Sequence, residues 1–152
     1  MSGSAAHVGY GTGVAFIVLG GLVAAVTGPL QLDRGSWLAA YLVLVCGVAQ
    51  CALSDRQRLL TGRPIPPRRS WTGFACWNGG NTLVMAGSLT TAPLVTDLGG
   101  IALGCALAFA LADTRGARRR VHAVVFRTVC LVLLVSIPIG LTLTHLRTVP
   151  PG

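Results

Sequence analysis

Long runs of apolar residues, separated by short polar stretches, extend along almost the whole chain. A helix needs about 20 mostly apolar residues to cross the hydrocarbon layer of a bilayer, and five runs approach or exceed this length. We predict spans over residues 8–30, 37–54, 71–93, 94–112 and 121–146. The pattern therefore predicts an all-α integral membrane protein, in which a single bundle of five transmembrane helices forms the only domain.

The composition agrees with a membrane protein. The chain has 53% hydrophobic residues, 11% charged residues and a mean hydropathy of +0.70, whereas about 25% of residues are charged in a typical soluble domain. The net charge of +8 does not indicate nucleic-acid binding, because the basic residues fall between the apolar runs, where they determine topology. All 12 basic residues are Arg, which we take as a sign of a GC-rich bacterial genome.

The arginines also predict the orientation of the bundle. The segments 55–70 and 113–120 hold nine of them, whereas Arg34 and Arg147 are alone in the other polar segments. Five spans place both Arg-rich segments on one side, which the positive-inside rule makes cytoplasmic. The N-terminus is then inside and the C-terminus outside, with the bacterial plasma membrane as the expected location. We expect segment 55–70, rich in Pro and Arg, to be an extended solvated loop, or alternatively to contact anionic lipid headgroups.

A nine-residue pattern, T-x-P-L-x-x-D-x-G, occurs at residues 27–35 and again at residues 91–99. It predicts a duplicated two-helix hairpin, with spans one and two related to spans three and four as a parallel repeat and span five added. Both Asp residues are expected to cap the returning helix, and the alternative is that they bind a cation at the outer face. The residues concerned are Thr27, Pro29, Asp33, Thr91, Pro93 and Asp97.

Small residues recur at every fourth position of span four. They are Gly100, Gly104, Ala108 and Ala112. Because such a stripe lets two helix backbones approach closely in lipid, we expect it to lie in a tight helix contact, either inside the bundle or against a partner subunit.

Four polar side chains fall inside the predicted spans, in the cytoplasmic half of the membrane: Gln50, Asn78, Asn81 and Arg127. The two Asn residues are three apart and share a helix face, and an ionisable residue inside a membrane is by default a functional hypothesis. We predict that Arg127 faces the bundle interior and bonds to Asn78 or Asn81. The alternatives are ordinary hydrogen bonds between helices, or an Arg127 side chain that reaches the headgroups.

Sequence motifs for catalysis and metal binding are absent. No nucleophile-elbow, zinc-protease, P-loop or dinucleotide-binding pattern occurs, so an enzyme is not favoured. The five cysteines lie in apolar runs without a CxxC pair, so we expect neither disulfides nor a metal site. We predict no cofactor, although haem binding between His7 and His122 is a less favoured alternative.

The segments WNGGN, at residues 77–81, and FRTVCLVLLVSIPIG, at residues 126–140, resemble small multi-spanning membrane proteins of high-GC bacteria. The resemblance implies no particular activity. From the residues we expect a non-enzymatic accessory or assembly subunit of a larger membrane complex. Its partners would be the lipid bilayer and other membrane subunits or a second copy of itself. The alternative is a small oligomeric transporter or channel that uses the four polar side chains.

Overall fold

The computed structural model describes residues 3–56, 66–112, 124 and 126–137, and these residues form helices with no strand among them. The all-α class is therefore confirmed. The segments are α1 (Gly3–Thr27), α2 (Gly35–Tyr41), a π-helical segment (Leu42–Ala49), α3 (Gln50–Arg56), α4 (Pro67–Leu89), α5 (Pro93–Ala112) and α6 (Phe126–Ile137). Because α2, the π segment and α3 follow one another without a break, residues 35–56 form one composite helix.

Three helices in the described part of the chain are long and apolar enough to cross a membrane, namely Ala5–Thr27, Gly35–Ser54 and Pro93–Ala112. Each of them exposes large apolar side chains. Leu22 is 59% exposed, Leu44 is 61% exposed and Leu94 is 74% exposed. Long helices with apolar outer surfaces are stable in lipid, where the helix satisfies its own backbone hydrogen bonds. These three helices therefore have the length and the apolar composition of membrane-spanning helices.

Two other predicted spans differ from these three helices, one in polarity and the other in length. Helix α4 has 23 residues, but Arg68, Arg69, Asn78 and Asn81 make it more polar than the three apolar helices. Helix α6 is a shorter apolar helix, and the rest of the span predicted over residues 121–146 lies outside the described residues. The number of five spans therefore stays a prediction.

The chain divides into two compact units, Met1–Arg58 with Arg63–Trp71, and Leu59–Gly62 with Thr72–Gly152. In the first unit α1 packs antiparallel against the composite helix. A Cβ built on Gly13 would lie 2.9 Å from the carbonyl oxygen of Gly47, and one built on Gly20 would lie 2.9 Å from that of Ala39. Since lipid offers no hydrophobic effect between helices, such close backbone contact provides the packing.

In the second unit α4 packs antiparallel against α5 in a similar way. Gly80 lies against Gly99 and Leu103, and Gly87 lies against Thr96. Gly80 and Gly87 are seven residues apart, as are Gly13 and Gly20 in α1. Both hairpins therefore use glycines two helical turns apart on their first helix.

The two copies of the nine-residue pattern do not occupy equivalent positions. The first copy lies in the turn before α2, which begins at Gly35, whereas Pro93 of the second copy is the first residue of α5. The residue before α2 is Arg34, and its side chain makes no capping bond, while Asp97 lies inside α5. The capping prediction is therefore wrong for Asp33 and Asp97. Pro93 explains the position of Asp97. The fixed φ and missing N–H of proline suit the first position of a helix, so α5 begins at Pro93 and Asp97 falls one turn inside it.

The start of α4 also differs from the prediction. The sequence predicted an extended loop over residues 55–70, but α4 begins at Pro67. The amides of Arg69 and Ser70 donate to the carbonyl oxygen of Pro66 at 3.0 and 3.1 Å, which closes the first turn. A proline at the first position requires no amide bond, so the loop prediction is wrong from Pro67 onward. Residues 57–65 lie outside the described residues.

Candidate functional site

Gln50 lies where the π segment passes into α3, and its side chain is only 2% exposed. Its Nε2 atom donates a hydrogen bond of 3.2 Å to the carbonyl oxygen of Gly9 on α1. The next residue, Cys51, directs its Sγ atom to the carbonyl oxygen of Tyr10 at 3.7 Å. Two neighbouring side chains of α3 are thus attached to consecutive carbonyl groups of α1.

The Gln50 carboxamide oxygen, Oε1, is fully buried and has no hydrogen-bond partner within the described parts of the chain. The orientation of the carboxamide is fixed by Gly9, because only the amide NH2 group can donate to a carbonyl oxygen. A buried polar atom without a partner loses its hydration and gains no bond in return. Apolar packing alone therefore does not explain why the polar side chain of Gln50 is buried at this position.

The π segment comes directly before Gln50 and buries Leu42, Cys46, Gly47 and Ala49. π-helices are rare, mostly a single turn long, and frequent at functional sites. The segment reads LVLVCGVA, which contains no proline and has nothing in its pattern that predicts π-helix. Gln50, Gly9 and the π segment together are called the Gln50 site below.

The two Asn residues of α4 turn their amides back onto their own helix. Asn78 Nδ2 donates to the carbonyl oxygen of Phe74 and Asn81 Nδ2 donates to that of Trp77, both at 2.9 Å. Trp77 is only 3% exposed. Its indole Nε1 atom has no hydrogen-bond partner in the region that the structure describes. The WNGGN segment therefore contains one buried donor that is not satisfied.

The predicted layer of four polar residues is divided between the units. Gln50 belongs to the first unit, whereas Asn78, Asn81 and Arg127 belong to the second. Arg127 lies near the beginning of α6 and is exposed. The pairing of Arg127 with Asn78 or Asn81 stays a prediction.

Haem binding between His7 and His122, the alternative to the prediction of no cofactor, stays a prediction. His7 lies in α1 and is exposed, and His122 lies outside the described residues. No group of three His, Cys, Asp or Glu in the described residues is arranged to hold a metal ion.

The hydroxyl groups of the outer motif bond locally. Thr27 Oγ1 donates to the carbonyl oxygen of Val23 at 2.6 Å, and Thr91 Oγ1 donates to that of Thr90 at 2.7 Å. Pro29 lies in the exposed turn after α1. Asp33 and Asp97 belong to different units, so a shared cation site stays a prediction.

The small-residue stripe of α5 divides into an inner and an outer part. Gly100 is buried, and the buried face also includes Gly99, which the stripe did not contain. A Cβ built on Gly104 would meet no atom within 4 Å. Ala108 is exposed and Ala112 is half-buried. The seven-residue glycine spacing in α1 and α4 is the sequence signal that identifies the close helix contacts.

Comparison with known proteins assigns no function. No protein-family model, curated protein sequence or solved structure matches this chain. Three features of the described residues bear on the function, namely the Gln50 site, the unsatisfied indole of Trp77, and the small residues Gly104 and Ala108 of α5.

Proposed function

We propose that this protein is a non-enzymatic accessory or assembly subunit of a larger complex in the bacterial plasma membrane. It binds a helix of a partner subunit along the outward face of α5. The observation that carries this proposal is the pair Gly104 and Ala108, four residues apart on one face of that helix. A Cβ built on the half-buried Gly104 would meet no atom within 4 Å, and Ala108 is exposed.

A lipid-facing helix gains nothing from glycine. Glycine in a helix costs about 0.5–1 kcal/mol relative to alanine, and large apolar residues fill the space beside lipid equally well. Small residues spaced by four, in contrast, let a second helix approach closely. Ile101 and Cys105 are exposed beside Gly104, Ile101 by 62%, and would form the border of such a contact.

The proposal includes five spans with the N-terminus in the cytoplasm. It is supported by the nine arginines of segments 55–70 and 113–120, through the positive-inside rule. The relation of the two hairpins as a repeat is supported by their glycines seven residues apart. The unequal positions of Pro29 and Pro93 weigh against a simple duplication.

A photo-crosslinking amino acid at Ala108, introduced in the native membrane, tests the proposal. We expect it to form one adduct of defined mass with another membrane protein. The same probe at Leu22, which is exposed on α1, is the matched control and should give only lipid adducts. Purification in mild detergent followed by native mass spectrometry should recover a stoichiometric partner. A lone monomer, with no adduct at Ala108, would contradict the proposal.

A small oligomeric transporter or channel is the second candidate. The observation in its favour is the presence of unsatisfied polar atoms inside the protein, Gln50 Oε1 and Trp77 Nε1, because intramembrane polar groups mark ion and substrate pathways. Ion flux into proteoliposomes tests this candidate. If transport is the function, we expect ion flux to be lost in Arg127→Ala. In the crosslinking experiment, an adduct at Ala108 of twice the protomer mass would support self-association.

A further inference from the structure

We propose that the π segment and Gln50 form a two-state element within the first unit. In the state that the structure describes, Gln50 Nε2 is bonded to Gly9 and Oε1 is buried without a partner. In the second state the π segment is rewound as α-helix, α3 is turned about its axis, and the Gln50 carboxamide leaves Gly9.

The burial of Oε1 limits how it can gain a partner. The atom is fully buried, so neither a lipid headgroup nor a side chain of another subunit reaches it from outside in this state. A rearrangement of the chain itself is the way in which Oε1 reaches a new partner.

The π segment provides that movement. Its hydrogen bonds join residues five apart, whereas those of an α-helix join residues four apart. Rewinding by one residue turns the following helix by about 100°, since an α-helix has about 3.6 residues per turn. Gln50 is the first residue after the π segment, so this rotation acts directly on its side chain.

The rotation opens one close contact between the helices. Gly47 belongs to the π segment and lies against Gly13, so these two backbones must separate in the second state.

Other packing is kept or replaced. The contact between Gly20 and Ala39 lies in α1 and α2, before the π segment, so it is kept when the later part turns. Ala49 and Cys51 flank Gln50 and are small, so a turned α3 still presents a small side chain to α1. Packed helices typically change between such discrete arrangements rather than deforming continuously.

The experiment is NMR of protein labelled with ¹⁵N-glutamine in lipid nanodiscs. Gln50 is identified by the loss of its signals in Gln50→Leu. We expect its side-chain NH2 group to show relaxation dispersion on the microsecond-to-millisecond timescale of helix register shifts. Gln31, in the exposed turn before α2, is the internal control and should show none. A single sharp Gln50 signal without dispersion, or equal dispersion at Gln31, would overturn the proposal.

Deletion of Leu44, a lipid-exposed residue of the π segment, should remove the extra residue and fix the helix as α. In uniformly ¹⁵N-labelled protein, which also reports the other backbone amides, we expect dispersion to disappear throughout residues 47–51. Gln50→Leu keeps the chain length but removes the bond to Gly9. It should shift the backbone amide signals over residues 42–49 toward those of the deletion variant. If that variant does not fold, Gln50→Leu decides alone, because unchanged signals over residues 42–49 would show that the π segment does not depend on Gln50.

Discussion

A Cβ atom built on Gly99 would lie 2.7 Å from the carbonyl oxygen of Gly80, and one built on Gly80 would lie 3.0 Å from the carbonyl oxygen of Gly99. The relationship is reciprocal, so the backbones of α4 and α5 touch at this point. Any side chain on either residue must push the two helices apart.

Gly80→Ala should therefore lower the free energy of unfolding. We expect a loss of about 1–3 kcal/mol, the usual effect of overpacking a tight contact, measured by unfolding in mixed micelles. Gly79→Ala is the matched control, because a Cβ on this neighbouring residue meets nothing within 4 Å. The control should be neutral or gain up to about 1 kcal/mol from helix propensity. Equal effects at the two positions would contradict the close contact.

Thr91→Gly should stabilise the second hairpin. Thr91 has a φ of 56°, a left-handed conformation that costs an L-residue about 1–2 kcal/mol and glycine almost nothing. The lost bond to Thr90 offsets part of this gain, so the expected increase is about 1 kcal/mol. Thr90→Gly is the control and should not stabilise, because Thr90 has no positive φ. The measurement is again unfolding in mixed micelles, and a lower stability for Thr91→Gly would disprove the prediction.

Labelling of single cysteines in a cysteine-free background tests the topology. Ser70→Cys should react only with reagent added from the cytoplasmic side, and Ser36→Cys only with reagent added from outside. Gly152→Cys, outside the described residues, should also react from outside if there are five spans. Labelling of Gly152→Cys from the cytoplasmic side would leave an even number of spans and end the five-span proposal.

Arg127 and Asn81 are predicted to interact across α6 and α4. If they do, Arg127→Leu and Asn81→Leu should be non-additive in stability, because each removes the same interaction. The expected coupling is about 0.6 kcal/mol, the average for hydrogen bonds between helices in membranes. Asn78→Leu forms a second cycle with Arg127→Leu. Both Asn amides donate to carbonyl groups of their own helix, so the residue whose side-chain oxygen accepts from Arg127 is the one whose cycle is non-additive. If the losses of stability add in both pairs of variants, Arg127 interacts with neither Asn residue, and its side chain reaches the lipid headgroups instead.

The apolar runs predicted the helices well, because length and hydropathy decide whether a segment is stable as a spanning helix. The ends were less predictable. Helix α1 ends at Thr27, whereas the predicted span continued through Pro29 to residue 30. Apolar residues continue into that turn and do not distinguish it from helix. Proline is compatible with a turn, as at Pro29, or with a helix start, as at Pro93, and only the local hydrogen bonds decide between them.

The candidate site was predictable in part. Gln50 stands out as a polar residue in an apolar run, but its bond to Gly9 joins residues 41 apart in sequence. No local pattern contains that information. The π segment was missed because its composition equals that of an ordinary apolar helix. Similarly, four-residue spacing placed Gly104 beside Gly100, although the two face different surroundings in the folded hairpin.

The bond between Gln50 and Gly9 also has a consequence for biogenesis. Because the two residues are 41 apart, the bond closes only after the composite helix has been synthesised almost to its end. Until then the Gln50 carboxamide has no partner on α1, whereas the Gly9 carbonyl already lies within helix α1. We therefore expect the first two helices to enter the lipid as a closed pair and not one after the other.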